Sequence, residues 1–163
     1  MHRKSRLITK SLNPSNQEDN SQPALAAALA RLPHGPEFRF LDRLLRLDRG
    51  RSGIGEFAVR GDEAFLRGHF PGEPLFPGVL LLEAAAQLAG TVAQSDPNVP
   101  ALPGLKLTAL RAAKILGTAK PGQIIRLEAH ITGRMGNLIQ AQATAQVEGM
   151  IILQAEITLS GEK

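Results

Sequence analysis

One histidine and one glutamate stand out as side chains that could act together as a base and an acid. His69 lies in a short segment, residues 68–78, that holds three prolines and three glycines. Proline fixes φ and glycine permits backbone angles closed to other residues, so this loop can be rigid and can pass close to a ligand. Histidine is the side chain whose unperturbed charge change lies near neutral pH, so His69 is suited to proton transfer.

Glu83 lies fourteen positions further on, in an apolar run rich in alanine and leucine. The run contains no proline from Val79 to Gln94, which predicts a helix. Because this helix is apolar nearly all round, we expect it to be buried. A carboxylate in a buried helix is costly unless it is paired or protonated, so Glu83 is suited to donate a proton. Gln87 shares its face at helical spacing.

Each of these residues also has a purely structural interpretation. A loop histidine is commonly held by hydrogen bonds that have no part in chemistry, and a buried glutamate is commonly paired with an arginine. Taken singly, neither His69 nor Glu83 would indicate catalysis. Their occurrence together in one conspicuous motif favours an acid–base pair.

The motif from His69 to Gln87, HFPGEPLFPGVLLLEAAAQ, resembles the signature of the β-hydroxyacyl-acyl carrier protein dehydratases of bacterial fatty-acid synthesis. It most resembles the branch with glutamate, rather than aspartate, on the helix. The resemblance extends more loosely over residues 24–159. It implies a lyase without a cofactor, which converts a (3R)-3-hydroxyacyl chain on acyl carrier protein into the trans-2-enoyl chain.

This resemblance also implies roles for the residues of the motif. His69 is expected to be the base at C2, and Glu83 the acid that assists loss of the C3 hydroxyl. The backbone N–H of Gly78, at the start of the helix, is suited to stabilise charge on the thioester oxygen. Gln87 is expected either to orient Glu83 or a water, or to satisfy a polar position in a dimer seam. Apolar lining or packing is expected from Phe70 and Val79.

The remaining elements predict an α+β fold of one domain. Pro23 opens a short helix, residues 24–31. Strands are predicted at 38–48 and 54–60 before the long helix, and at 105–110, 124–132, 138–147 and 151–159 after it. The simplest arrangement wraps an antiparallel sheet around the helix, which covers one face of it. This is the hot-dog fold, which the resemblance also implies.

The resemblance further implies an oligomer. In the dehydratase family, the histidine comes from one subunit and the glutamate from its neighbour, across a two-fold interface. We therefore expect a homodimer, which could assemble further as a trimer of dimers.

One departure from the family concerns gating of the acyl tunnel. The family continues its Leu-Pro-His segment with Arg-Tyr-Pro-Phe, whereas Leu32-Pro33-His34 is followed here by Gly35-Pro36-Glu37-Phe38. The tyrosine, which helps to gate the tunnel in the family, is missing. The departure bears on chain-length selection rather than on the chemistry.

The composition of the 163 residues excludes several other functions. There are no cysteines and no HxH or HExxH spacing, so we expect no disulfide and no metal site. There is no run of 18 apolar residues and no tryptophan or tyrosine, so neither a membrane span nor aromatic stacking on nucleic acid is expected. Residues 1–22 are polar, so we expect them to form a flexible tail that precedes a domain at 23–163. They contain no secretory signal, so we expect a cytoplasmic protein.

The formal net charge is +4, which is suited either to an acidic partner or to a solvated basic surface. Arg111, Lys114 and Lys120 lie between two predicted strands and could meet an acidic carrier protein.

Two other functions remain open at this point. A hot-dog thioesterase would release free thiol, and a non-catalytic acyl-carrier binding module would have no use for His69 and Glu83.

Overall fold

The computed structural model describes residues 20–162, so most of the predicted tail lies outside the described residues. These residues form two helices, α1 (Gln22–Ala30) and α2 (Gly78–Gln94), with short 3-10 turns at Pro36–Phe38 and Ala64–Gly68. The six strands are β1 (Arg43–Asp48), β2 (Ser52–Ala58), β3 (Lys106–Ile115), β4 (Ile124–Met135), β5 (Leu138–Val147) and β6 (Met150–Ser160).

The six strands form one antiparallel sheet in the order β1-β2-β4-β5-β6-β3. Residues in β2 and β5 alternate between buried and less buried positions, as expected of a sheet with one covered face. Helix α2 covers that face, and its fully buried side chains include Leu81, Leu88 and Val92. The predicted hot-dog fold, a sheet wrapped around one long helix, is confirmed.

Close approach between α2 and β2 depends on a glycine. A Cβ atom placed on Gly53 would lie 2.7 Å from Cγ2 of Val92, which is closer than real Cβ contacts allow.

Helix α2 begins directly after Pro77, whose fixed φ suits a helix start. It ends at Gln94, where Ser95 Oγ donates a hydrogen bond of 2.6 Å to the carbonyl of Val92.

Two strand boundaries differ from the sequence prediction by five residues, and the other strand boundaries agree to within three. The strand predicted to begin at Phe38 begins instead at Arg43, because residues 36–38 form a 3-10 turn and the backbone of Phe38 and Phe40 bonds to a helix side chain. The strand predicted to end at Leu110 continues to Ile115 across a β-bulge after Arg111. A bulge breaks the alternation by which a strand is recognised in a sequence.

Strand β3 forms one edge of the sheet and is exposed along nearly its whole length. Nine of its ten residues are exposed, whereas its neighbour β6 alternates over most of its length. Arg111 and Lys114 therefore lie in β3, and only Lys120 lies in the connection that was predicted for all three basic residues. Such an uncovered edge offers free backbone groups for pairing with another strand.

Neither helix within residues 20–162 combines the length and the apolar character that crossing a membrane would require.

Candidate active site

His69 is held in a defined orientation at the end of the second 3-10 turn. Its Nδ1 lies 3.0 Å from the carbonyl oxygen of Leu75, and the Leu75 N–H donates to the His69 carbonyl at 2.8 Å. A carbonyl oxygen can only accept, so Nδ1 carries the ring proton and donates it. Nε2 is therefore the nitrogen with the free lone pair, which is the atom that a general base needs.

The loop that carries His69 is anchored on both sides. Downstream, Phe76 is fully buried, and its N–H donates to the carbonyl of Ala119 at 2.8 Å. Upstream, the carboxylate of Glu63 accepts hydrogen bonds from the backbone N–H groups of Arg60 at 2.9 Å and Gly61 at 2.7 Å. Partial burial by itself raises the pKa of Glu63, but these hydrogen bonds and the Arg60 guanidinium hold that pKa below its usual value.

Glu83 lies in the second turn of α2, and its side chain is 22 % exposed. Its Oε1 lies 3.0 Å from Nε2 of Gln87 and 3.2 Å from Nε2 of His34. The carboxyl group is thus paired within its own chain, with an amide one helical turn away and with a histidine from the segment before β1. No arginine salt bridge to Glu83 occurs within residues 20–162.

Gln87 is almost fully buried and ties α2 to the segment before β1. Its Nε2 donates to the carbonyl of Phe38 at 2.8 Å, and its Oε1 accepts from the N–H of Phe40 at 2.8 Å. With the bond to Glu83, both amide hydrogens and the oxygen of this buried side chain are satisfied. The expected contact between Gln87 and Glu83 is therefore present.

A cleft of about 880 Å³ runs along the face of α2 that carries Glu83. That volume lies within the range of sites that hold drug-sized ligands. Glu83 and Gln87, which the sequence placed on one helix face, both line it, together with Ala86, Gly90 and Gln94 of the same helix. The opposite wall includes His34, Phe38, Leu102, Leu105 and Lys106.

The other predicted site residues lie outside this cleft. His69 does not line it, and neither do Gly78, Phe70 and Val79. The ring of Phe70 stacks on that of His69 at 4.3 Å and is 53 % exposed, and Val79 is also exposed. The structure of one chain thus brings Glu83 together with His34 and Gln87, but it does not bring His69 into the cleft of Glu83.

The three basic residues proposed for carrier binding are all exposed, and none of them lines the cleft. Arg111 and Lys114 lie on either side of the bulge in β3, and Lys120 lies in the turn before β4. Within residues 20–162, no three histidine, aspartate or glutamate side chains are grouped so that they could hold a metal ion.

His34 is the site residue that the sequence did not predict. It occurs in the Leu32-Pro33-His34 segment, which is part of the family resemblance, but nothing in that segment indicates a contact with a residue 49 positions away. The contact arises because the segment before β1 crosses α2 and is fixed there by Gln87.

Comparison with known proteins agrees with this fold and motif. The sequence profile of the FabA-like domain matches residues 32–156. The 3-hydroxyacyl-[acyl-carrier-protein] dehydratase FabZ of Bacillus pumilus is 33% identical over 129 residues, which cover 79% of this chain and 89% of that protein. The protein of the same name from Anaeromyxobacter sp. is 34% identical over 128 residues, covering 77% and 81%.

Solved structures resemble the chain at lower identity. The dehydratase heterocomplex ApeI:P from Xenorhabdus doucetiae superposes with a TM-score of 0.70 at 14% identity, covering 83% of this chain and 91% of that one. Zebra fish thioesterase superfamily member 2 superposes with a TM-score of 0.62 at 14% identity, with the same coverage of both chains. Matches at such low identity show the fold alone, and the fold that they show for this chain is the hot-dog fold.

The sequence matches define its family within that class. The FabA-like profile covers most of the chain and spans the whole motif from His69 to Gln87. The chain belongs to the FabA-like family.

Proposed function

We propose that this protein dehydrates (3R)-3-hydroxyacyl chains on acyl carrier protein to trans-2-enoyl chains, as a cytoplasmic enzyme of fatty-acid biosynthesis. The observation that carries the proposal is the match to 3-hydroxyacyl-[acyl-carrier-protein] dehydratases over 79% of the chain. The FabA-like match spans His69 and Glu83, the two residues suited to the chemistry. The FabZ dehydratases of Bacillus pumilus and Anaeromyxobacter sp. match in sequence at 33% and 34% identity, whereas the thioesterase resemblance, at 14% identity, rests on fold.

The proposed reaction needs a base at C2 and an acid at the C3 hydroxyl, the two carbons that the new double bond joins. Nε2 of His69 removes the proton from C2, and the electrons of that C–H bond form the C2–C3 double bond. The C3–O bond breaks as Glu83 gives its proton to the hydroxyl, which leaves as water. His69 is then protonated and Glu83 is ionised, and proton exchange with water restores both groups for the next turnover.

Charge that develops on the thioester oxygen needs donors, and the start of α2 provides them. The N–H groups of Leu80 and Leu81 bond to the carbonyl of Pro77, whereas those of Gly78 and Val79 have no partner within residues 20–162. The positive end of a 17-residue helix dipole adds to their effect. Gly78 also lies where a Cβ would come within 2.9 Å of Cδ1 of Ile115, so glycine allows this close packing.

A site shared between two subunits accounts for the separation of His69 from the cleft of Glu83. We propose a homodimer in which His69 of one subunit faces Glu83 of the other, with a trimer of dimers as a possible further assembly. The exposed edge of β3 is suited to pair with its symmetry mate, since an isologous interface joins the same surface of both subunits. The small residues Ala86 and Gly90 on the cleft face would allow close approach of a partner.

For the carrier protein, we propose docking on the exposed basic residues Arg111, Lys114 and Lys120. A positive surface accelerates association with an acidic partner, and this effect weakens as salt is raised.

Incubation with 3-hydroxyacyl-carrier substrates of several chain lengths tests the reaction. Mass spectrometry should show loss of one water with the thioester intact, whereas a thioesterase would release free thiol and a binding module would leave the substrate unchanged. His69→Ala and Glu83→Ala should each lower the rate by about 10²- to 10⁴-fold.

His130→Ala and Glu128→Ala are matched controls for these two variants. Their side chains form a 2.8 Å pair on β4, away from the cleft. Both controls should keep the wild-type rate. Near-normal dehydration by both His69→Ala and Glu83→Ala would overturn the catalytic assignment.

A further inference from the structure

We propose that His34 is a positioning residue which, together with Gln87, fixes Oε1 of Glu83 as a hydrogen-bond acceptor, so that Oε2 is the oxygen that carries and donates the catalytic proton. This inference rests on the proposed role of Glu83 as the acid. It goes beyond that role by naming the oxygen that reacts and the histidine that selects it.

The orientation of the Gln87 amide is set by its two backbone partners. The N–H of Phe40 can only donate, so the Gln87 atom 2.8 Å away from it is the oxygen. The carbonyl of Phe38 can only accept, so the Gln87 atom 2.8 Å from it is the nitrogen. Two backbone partners therefore fix the amide in one orientation, and its second N–H is directed at Glu83.

A single oxygen of Glu83 contacts both Gln87 and His34. Oε1 of Glu83 lies 3.0 Å from the Gln87 nitrogen and accepts its hydrogen. The same oxygen lies 3.2 Å from Nε2 of His34. Either His34 donates to Oε1 from a protonated Nε2, or Oε1 carries the proton and donates it to an unprotonated Nε2.

The unpaired nitrogen of His34 decides between these two arrangements. Nδ1 of His34 is buried and has no hydrogen-bond partner within residues 20–162. If Nε2 lacked its proton, the neutral ring would carry one on Nδ1, and a buried N–H would be left without an acceptor, which is rare in proteins. An imidazolium would leave the same N–H unpaired and add a charge. The neutral ring with its proton on Nε2 fits, so Oε1 accepts two hydrogen bonds.

The proton of the neutral acid then resides on Oε2. This oxygen has no hydrogen-bond partner among residues 20–162, and the Glu83 side chain remains partly exposed in the cleft. A carboxylic acid whose carbonyl oxygen accepts two bonds has its O–H free to donate to a third group. In the proposed reaction, that group is the C3 hydroxyl of the substrate.

The segment around His34 is built to hold the ring in place. The guanidinium of Arg39 donates to the carbonyls of His34 at 3.2 Å and Leu32 at 3.4 Å. The ring of Phe38 stacks on that of His34, with centroids 6.2 Å apart and planes inclined by 25°. Because Phe38 is itself bonded to Gln87, both donors to Oε1 belong to one connected unit.

Three substitutions at one position test the inference. A glutamine side chain can place its amide nitrogen near the position of Nε2, whereas an asparagine reaches only as far as Nδ1. His34→Ala and His34→Asn should lower kcat about ten- to a hundredfold, as expected from the loss of one hydrogen bond to a carboxyl group. His34→Gln should recover most of kcat, and KM should change little in all three.

Each alternative outcome identifies what has failed. If His34→Gln is as impaired as His34→Asn, or if His34→Ala keeps the wild-type kcat while Glu83→Ala is inactive, the positioning role is wrong and the acid assignment stands. If Glu83→Ala itself is active, the proposed function of Glu83 fails. Should His34→Ala not fold, as judged by circular dichroism, the comparison of the glutamine and asparagine variants still decides. His130→Ala is the control for loss of a histidine that pairs with a glutamate.

Discussion

Gln94 and Leu102 are joined by two reciprocal hydrogen bonds at the far end of the cleft from Glu83. The amide nitrogen of Gln94 donates to the Leu102 carbonyl at 2.6 Å, and the Leu102 N–H donates to the Gln94 oxygen at 2.9 Å. Both residues line the cleft. The last residue of α2 therefore fixes the segment that forms the wall at this end.

We predict that Gln94→Ala weakens the fold and changes acyl selection. Loss of two partly buried hydrogen bonds should lower the free energy of unfolding by about 1–3 kcal/mol. The wall segment around Leu102, which Gln94 no longer holds, should leave more room at this end of the cleft. We therefore expect kcat/KM to rise for long acyl chains relative to short ones. Denaturant unfolding and a chain-length series measure both effects. Gln142→Ala, an exposed glutamine on β5, is the control, and identical behaviour of the two variants would contradict the prediction.

A second prediction concerns Glu63 and acid stability. Because hydrogen bonds hold its pKa in the folded protein below the ordinary value, Glu63 stabilises the fold above about pH 4. That stabilisation is lost as the pH falls through the lowered pKa of the folded state. Glu63→Gln should lower the free energy of unfolding by about 1–3 kcal/mol at pH 7, since the new amide cannot accept from both Arg60 and Gly61.

Unfolding curves between pH 7 and about pH 3 measure this effect. The difference between wild type and Glu63→Gln should shrink as the pH falls. Glu156→Gln, on the exposed side of β6, should show no such difference at either end of the range. A Glu63→Gln difference that stayed constant with pH would show that the carboxylate charge is not its cause.

Much of the fold could be predicted because its signals are local. The absence of proline and the apolar composition located α2 to within one residue, and alternation located β5 from Leu138 to Val147. The start of β1 was missed because Phe38 and Phe40 make backbone bonds to Gln87, a residue almost fifty positions away. A partner at that distance leaves no periodic pattern in the sequence.

The candidate site shows the same division between local and distant information. The motif predicted that Glu83 and Gln87 share a helix face, because that contact follows from helical spacing. The contact of Glu83 with His34 and the wall held by Gln94 depend on how two irregular segments cross the helix. Irregular segments have no repeating geometry from which side-chain contacts can be predicted.

The boundary of the N-terminal tail gives a third prediction. Oδ1 of Asn20 accepts the N–H of Leu47 at 2.7 Å, and the carbonyl of Ser21 accepts the N–H of Leu25 at 3.0 Å. A chain shortened to begin at Asn20 keeps both hydrogen bonds and should therefore be more stable than a chain shortened to begin at Pro23. A chain that begins at Pro23 should lose about 1–3 kcal/mol of unfolding free energy. Equal stability of both shortened chains would contradict a structural role for Asn20 and Ser21.

The fourth prediction tests whether two subunits share each active site. If His69 of one subunit works with Glu83 of the other, then His69→Ala and Glu83→Ala are complementary defects. A mixed dimer of the two variants has one site that lacks both groups and one site that lacks neither. Random pairing makes about half of the dimers mixed, so roughly a quarter of wild-type activity should return if the sites are independent.

The measurement requires proof that subunits exchange. The two inactive variants carry different affinity tags, and sequential purification on both tags isolates the mixed dimers, which should show about half of the wild-type activity per dimer, compared with about a quarter for the unfractionated mixture. Two differently tagged copies of His69→Ala, mixed in the same way, are the control and should stay inactive. If His69 and Glu83 meet within one chain, no mixture can rebuild a site. Verified mixed dimers without activity would therefore refute the shared site, and any dimer would have to be explained by stability alone.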